Sequence, residues 1–309
     1  MTSASAPGKI ILLGEHAVVY RRPALAVPLS DLQARATVEN SDDPGIHLIS
    51  KQADLDFWLY ETDDDQPVAM AVRLTLQALN MKSTPNLRIT IESELPMAAG
   101  LGSGAAVSVA IIRALSQHLG QPLAPTVQAT LAYEVEKIHH GTPSGIDNTV
   151  IAHEAPVFFI KGAPLKTFPI DDPFNLVIAD TGLPSPTAES VAGVRQRWNQ
   201  DKEVYEGYFD EIGQLAQRAR QAMAVGNLRL LGDLMNQNQV LLEKIGVSHP
   251  RLEKLITAAR DAGALGAKLS GGGLGGNMIA LAEDDNVEDV RESLAGAEAA
   301  RVLVTEVGP

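Results

Sequence analysis

Apolar and polar positions along the 309-residue chain sort into short runs of strand character and longer runs of helical character. Ile10–Leu13, Ala24–Pro28, Leu32–Val38 and Leu87–Glu94 are short, largely aliphatic or β-branched, and predict strands. Val68–Leu79 and Ala105–Leu119 are long apolar runs and predict helices. Gly120-Gln-Pro stops the second, and Thr126 caps a third that runs to about His139. Ile146 begins another apolar segment. Asp54–Gln66 is acidic and irregular. Its run Asp63-Asp64-Asp65 reads as a solvated loop, because three adjacent carboxylates repel and lack the spacing of a metal loop.

Strand-like Val157–Ile160 and the Pro-rich stretch through Pro173 predict a hinge between two domains, 1–168 and 169–309. Beyond it come a strand at Asn175–Asp180, a helix from Thr187 to Arg197, and charged amphipathic helices to about Lys244. A helix at Pro250–Ala262 precedes strands at Ala267–Ser270 and Asn277–Ala282, then a helix at Val287–Leu294 and a strand at Arg301–Val307. This β-α-β-β-α-β order, with extra helices in the first crossover, predicts a ferredoxin-like split βαβ domain. The fold class is therefore α+β.

Three glycine-bearing stretches carry the candidate chemistry. Pro96-Met-Ala98-Ala99-Gly100-Leu101-Gly102-Ser103-Gly104-Ala105 links a strand to a helix. A Gly-rich turn opening a helix aims backbone N–H groups and the positive end of the dipole at one place, which suits a phosphate. Alone, it is equally compatible with a plain helix cap. Lys268-Leu-Ser270-Gly271-Gly272-Gly273-Leu274-Gly-Gly276 formally matches G-x-G-x-x-G. A strand follows it rather than a helix, so the dinucleotide fingerprint lacks its context, while five glycines exceed the need of a hairpin. Near the N-terminus, Lys9 precedes a strand that ends in Gly14-Glu15-His16, an odd use of polar residues, though a solvated strand start accounts for Lys9 as well. Glu136 lies in the last turns of a helix. After it, Gly141-Thr-Pro-Ser144-Gly-Ile-Asp147 is a tight loop that delivers a carboxylate to the start of a buried segment. Adjacent His139 and His140 point apart on a helix and suit loop anchoring better than zinc.

Composition narrows the function classes. A formal charge of −13 without a Lys/Arg stripe argues against nucleic acid as a partner. The absence of cysteine removes disulfides, thiolate metal sites and cysteine nucleophiles. No apolar run is long enough to cross a bilayer, and Met-Thr-Ser-Ala-Ser has no signal-peptide pattern, so a cytoplasmic protein is expected.

In order and spacing, Pro7-Gly8-Lys9…Gly14-Glu15-His16-Ala-Val-Val, the Pro96–Ala106 turn and Lys268–Gly276 resemble the three signature motifs of the GHMP small-molecule kinases. The resemblance covers essentially the whole chain. Glu136…His140-Gly-Thr-Pro-Ser144-Gly-Ile-Asp147-Asn, Asp180-Thr-Gly-Leu-Pro…Thr187 and Val191-Ala-Gly-Val-Arg195 are most similar to the members that phosphorylate the 5-hydroxyl of mevalonate. The resemblance implies a ribosomal-protein-S5-type N-terminal domain, a ferredoxin-like C-terminal domain, ATP and Mg²⁺ as cofactors, and a homodimer. It implies ATP binding by Pro96, Ala98, Ala99, Gly100, Leu101, Gly102, Ser103, Gly104, Ala105, Ser270, Gly271, Gly272 and Gly273. It also implies a metal on Glu136 and Ser103, catalysis by Asp147 and Lys9, and substrate contacts from Glu15, His16, Ser144, Thr187 and Arg195. The Ser270–Gly276 loop is expected to move, closing over the phosphates.

Two departures from the family pattern stand out. Gly104 replaces the second serine of the turn, the family's usual magnesium ligand, leaving Ser103 or a water to take that place. Leu274 interrupts the third glycine run. Another substrate of the same family (phosphomevalonate, a sugar or homoserine) and a non-catalytic ATP-binding regulator are the alternative readings.

Overall fold

The structure, a computed structural model, describes residues 1–63, 65–96, 100–140 and 143–308, with the backbone alone at His139 and His140. It divides into two compact units, one of Met1–Lys9, Leu32–Met97 and Leu101–Glu154, the other of Ile10–Asp31, Ala98–Gly100 and Ala155–Pro309.

Strands β1 (Thr2–Leu13) and β2 (Ala24–Asn40) run from one unit into the other, and the first unit adds β3 (Ile46–Ser50), β4 (Leu55–Trp58), helix α1 (Pro67–Ala78) and β5 (Leu87–Ser93). It is completed by helices α2 (Ser103–His118), α3 (Pro125–His140) and α4 (Ile146–His153). Strand β5 lies between β3, parallel to it, and the Ala34–Asn40 part of β2, antiparallel to it; β4 pairs antiparallel to β3. Alternation buries Leu87, Ile89 and Ile91 and exposes Arg88 and Glu92, so one face of β5 turns to the core. Helix α2 buries Ala105, Ala106, Val109, Ala110, Ile111, Ile112, Ala114 and Leu115, which is why its sequence reads as an almost unbroken apolar run.

The second unit contains β6 (Val157–Phe159), β7 (Lys166–Thr167), β8 (Phe174–Asp180), α5 (Thr187–Gln200), α6 (Lys202–Ala224) and α7 (Leu228–Lys244). Helix α8 (Pro250–Asp261), strands β9 (Gly266–Leu269) and β10 (Asn277–Ala282), helix α9 (Val287–Gly296) and strand β11 (Arg301–Val307) follow. Four strands in the order β11-β8-β10-β9, every pair antiparallel, form its sheet. That is the arrangement the split βαβ pattern predicts. Side chains of α7 finish the outer edge of β9: Asn236 accepts from the amide of Ala267, and Gln239 from the amide of Leu269, at 3.0 and 2.9 Å. Helix and strand come this close because Gly232 faces Gly266, where an added Cβ would lie 2.2 Å from the Gly232 carbonyl oxygen. No helix among the described residues is long and apolar enough to cross a membrane.

Candidate active site

In the first unit the glycine turn meets three charged side chains. Gly102 caps α2 with φ +74°. A Cβ there would lie 2.9 Å from Ile151 Cδ1 and 3.0 Å from Lys9 Cγ, so both conformation and space require glycine. The amide of Lys9 donates to the Leu101 carbonyl at 2.9 Å, anchoring the turn to β1. The Lys9 ammonium, only 4% exposed, meets Asp147 Oδ2 at 3.0 Å. Asp147 sits in the first turn of α4, behind Gly145 at φ +89°, where the helix dipole favours a carboxylate. Asn148 donates to the Ala129 carbonyl at 2.9 Å, fixing α4 against α3.

Glu136 projects from α3 and is buried. Its pKa is pushed up to about 7, chiefly by burial and then by the nearby Asp147 carboxylate, against the pull of Lys9. A buried carboxylate held so far above its ordinary range by desolvation and a like charge fits a cation. A Cβ on Gly104 would lie 3.2 Å from Glu136 Oε1, so the residue that departs from the family pattern faces this carboxylate directly. Among the described residues no group of three or more histidine, aspartate or glutamate side chains forms a ready-made metal cage. One or two carboxylates completed by phosphate oxygens and water are the usual surroundings of Mg²⁺.

The other residues expected on this unit are placed as follows. Ser103 is the first residue of α2 and half-buried, while Leu101 and Ala105 are buried. Ser144 accepts from the amide of Ile146 at 3.3 Å and so shapes the entry to α4. Pro96 is half-buried. Ala98, Ala99, Asp64, Gly141, Thr142 and the side chains of His139 and His140 lie outside the described residues. Gly100, counted with the second unit, is exposed with φ +74°.

In the second unit Glu15 and His16, the expected substrate contacts, are engaged by groups of the protein itself. Glu15 is 1% exposed, and its two oxygens pair with the Lys268 ammonium and with Asn238 Nδ2. Lys268 is wholly buried, and burial draws its pKa down while Glu15 holds it up. His16, buried at φ +60°, places Nε2 3.0 Å from the Gly272 carbonyl oxygen. Each side chain thus has at least one partner within the protein. Gly14 makes the turn possible: its φ is +104°, and an added Cβ would lie 2.4 Å from Ala24 Cα.

The third glycine loop is tied to its surroundings by several hydrogen bonds. Ser190 donates to the Gly272 carbonyl at 2.5 Å and Ser185 to that of Gly273 at 3.1 Å. Thr181 donates to the Gly276 carbonyl through both its amide and its hydroxyl, each at 2.9 Å. Leu274 donates its amide to the Val247 carbonyl at 2.8 Å, and Gly276 to that of Leu183 at 2.9 Å. Leu274 takes the loop's left-handed conformation at φ +60°. Thr187 opens α5 with its hydroxyl beside Gly272, where an added Cβ would lie 2.9 Å away. Arg195 is exposed on α5, and its charge lowers the pKa of Tyr20 against the larger upward effect of burial.

Sequence reading missed Lys268 as a structural cation, and with it Asn238 and Gln239. The signal was present: a lysine inside the four-residue strand Gly-Ala-Lys-Leu, and two amides on the otherwise apolar face of α7, all of them buried.

Family models for the GHMP kinases N terminal domain and the GHMP kinases C terminal match residues 67–154 and 219–299. A mevalonate kinase of Thermococcus sibiricus is 36% identical, the alignment covering 92% of this chain and 90% of that protein. One from Saccharolobus solfataricus is 32% identical, with 91% and 90% covered. Among solved structures, L. major mevalonate kinase in complex with R-mevalonate superposes with a TM-score of 0.87 at 29% identity, covering 100% of this chain and 96% of that one. With its sequence relatives, its two matched halves and its fold in agreement, the chain belongs to the GHMP kinases.

Proposed function

We propose that the protein is a mevalonate kinase, transferring the γ-phosphoryl group of ATP to the 5-hydroxyl of (R)-mevalonate. The observation that carries this reading is the Lys9–Asp147 pair at 3.0 Å, close to the buried Glu136 carboxylate. It is supported by relatives at 32–36% identity that are mevalonate kinases.

Phosphoryl transfer passes through a loose transition state, so the protein's task is mostly alignment and charge stabilisation. Asp147, held by Lys9 at the start of α4, accepts a hydrogen bond from the substrate hydroxyl and takes its proton as the oxygen bonds to phosphorus. The bond from phosphorus to the bridging oxygen of ADP breaks in the same step. Lys9 balances negative charge on the transferring group. The amides at the start of α2 hold phosphate oxygens. Glu136 and Ser103 would hold Mg²⁺, which supplies charge neutralisation across the phosphates. Arg195 would receive the mevalonate carboxylate as a bidentate guanidinium, and Thr187 and Ser144 would complete the substrate contacts. In this reading residues 1–168 carry nucleotide, metal and catalytic groups, residues 169–309 form the C-terminal domain, and the protein acts as a cytoplasmic homodimer.

The test is substrate-dependent ADP release with Mg-ATP on mevalonate, phosphomevalonate, galactose and homoserine. Turnover on mevalonate alone, with kcat reduced about 10²–10⁴-fold in Asp147→Asn, is the expected result. Turnover on a different alcohol would overturn the substrate, and an active Asp147→Asn would overturn its role.

A further inference from the structure

Three bonds tie the end of β1 and the turn after it to the third glycine loop. Ser270 Oγ donates to the Ile11 carbonyl at 3.1 Å, Lys268 pairs with Glu15, and His16 Nε2 meets the Gly272 carbonyl at 3.0 Å. Glu15 and Lys268 make a fully buried pair, an arrangement that adds little net stability but permits only one geometry. We infer that Glu15 and His16 are positioning residues that set the third glycine loop in an anion-binding shape, with the His16–Gly272 hydrogen bond as the element that aims it.

The backbone supplies the reason. The carbonyl of Gly272 accepts from both His16 and Ser190, which fills both its lone pairs. In a trans peptide the following N–H points the opposite way, so fixing that carbonyl fixes the direction of the Gly273 amide. The amides of Gly271, Gly272, Gly273 and Gly275 donate to no group among the described residues, and Gly272, Gly273 and Gly275 are buried. Buried amides are almost always paired, and leaving one unpaired is costly. A row of them, beside the Gly272 and Gly273 carbonyls that are already taken, points to an external acceptor such as a phosphate oxygen.

The imidazole suits this task. Burial first, with Arg197 adding to it, lowers its pKa to about 4 against the raising effect of the Gly272 bond. The ring is therefore neutral at physiological pH, and the carbonyl acceptor selects the tautomer with the proton on Nε2. A cation here would bring positive charge into the core for a contact that needs only one N–H.

This inference rests on the kinase reading for the identity of the anion, so two readouts are needed. Calorimetric affinities for ATP and for mevalonate would be measured on His16→Met, which removes the donor, and on His16→Gln, whose Nε2 can replace it. ATP binding weakened about tenfold in His16→Met, with mevalonate binding within twofold of the parent and recovery in His16→Gln, is expected. Weakened mevalonate binding with ATP unchanged would overturn the inference and return His16 to the substrate, as would no change in either. Amide hydrogen exchange would be followed across 270–276 in the same proteins. Protection of the Leu274 and Gly276 amides should fall in His16→Met whether or not nucleotide binds, and unchanged protection would overturn the clamp. If the parent binds no ATP, the kinase reading fails and the exchange result alone decides the clamp. Should His16→Met not fold, Ser190→Ala removes the second donor to the same carbonyl; it should weaken ATP selectively, and unaltered ATP binding would overturn the inference.

Discussion

Replacing Glu136 by glutamine should stabilise the unliganded protein, and by more at pH 8 than at pH 5. The carboxyl is buried against Asp147, and its pKa stands at about 7 where 4.5 is ordinary. Below pH 4.5 it is protonated in folded and unfolded chains alike and has no effect on stability. As the pH rises, the unfolded chain releases its proton first, while the folded chain must retain the proton or hold a buried anion. Stability therefore falls up to about pH 7 and levels off above it. At about 1.4 kcal/mol per pH unit, the cost is about 3 kcal/mol at pH 8 and about 1 kcal/mol at pH 5. Glutamine keeps the shape and never ionises, so the difference between parent and variant should grow by about 2 kcal/mol between the two pH values. Urea denaturation at both values measures it directly. Comparing two pH values cancels any pH-independent effect of the amide on packing. A difference that does not change with pH would refute the claim that Glu136 is an under-compensated buried anion. Mg²⁺ with ATP should stabilise the parent and leave Glu136→Gln little changed, because the cation supplies the missing positive charge.

Other substitutions probe the same architecture. Gly14→Ala forces a Cβ to 2.4 Å from Ala24 Cα at φ +104°, and should cost about 3 kcal/mol or more by urea denaturation; a loss under 1 kcal/mol would mean that the turn relaxes freely. Lys268→Met strands the Glu15 carboxylate in the interior and should cost about 3–5 kcal/mol, most of it recovered in Glu15→Leu/Lys268→Met. Equal stability of the single and double variants would show that the lost lysine packing, not the lone charge, is what matters. Gly104→Ser adds a hydroxyl against Glu136, whose Oε1 is 3.2 Å from the new Cβ. It should tighten Mn²⁺ binding, read as free Mn²⁺ by electron paramagnetic resonance, by about three- to tenfold, and unchanged binding would mean that a side chain at position 104 does not reach the metal.

Much of the fold is legible in the sequence because it is local. The Gly102 turn and the apolar run behind it announce a strand–turn–helix, and the order of segments after residue 173 announces the four-stranded antiparallel sheet. The hairpin of β3 and β4 was missed. Its strands are short, β4 lies inside the stretch Asp54–Gln66 that reads as acidic and irregular, and their partner β5 lies about forty residues away, so nothing local marks the pairing. Strand β1 runs from Thr2, well before the apolar segment Ile10–Leu13, because Ala4 and Ala6, small enough to escape notice, are buried. At the candidate site, residue types and spacing brought out Lys9, Glu136 and Asp147. They did not reveal that Glu15 would be met by Lys268, because the two are 253 positions apart. A charged residue's surroundings are set by long-range packing, and only the folded chain shows whether it faces a ligand or another side chain.

The amide side chains that α7 lends to β9 close one edge through which copies of this protein could meet. An open edge strand offers unpaired N–H and C=O groups in register, a template on which another chain can add a strand and begin a polymer. Here Asn236 and Gln239 take the amides of Ala267 and Leu269, and Arg260 takes the Ala267 carbonyl at 2.7 Å. A helix thus stands in for a fifth strand without presenting a new edge beyond it. At β9 the sheet has no vacancy to template on, and orderly self-association through this edge is closed off at the level of single hydrogen bonds.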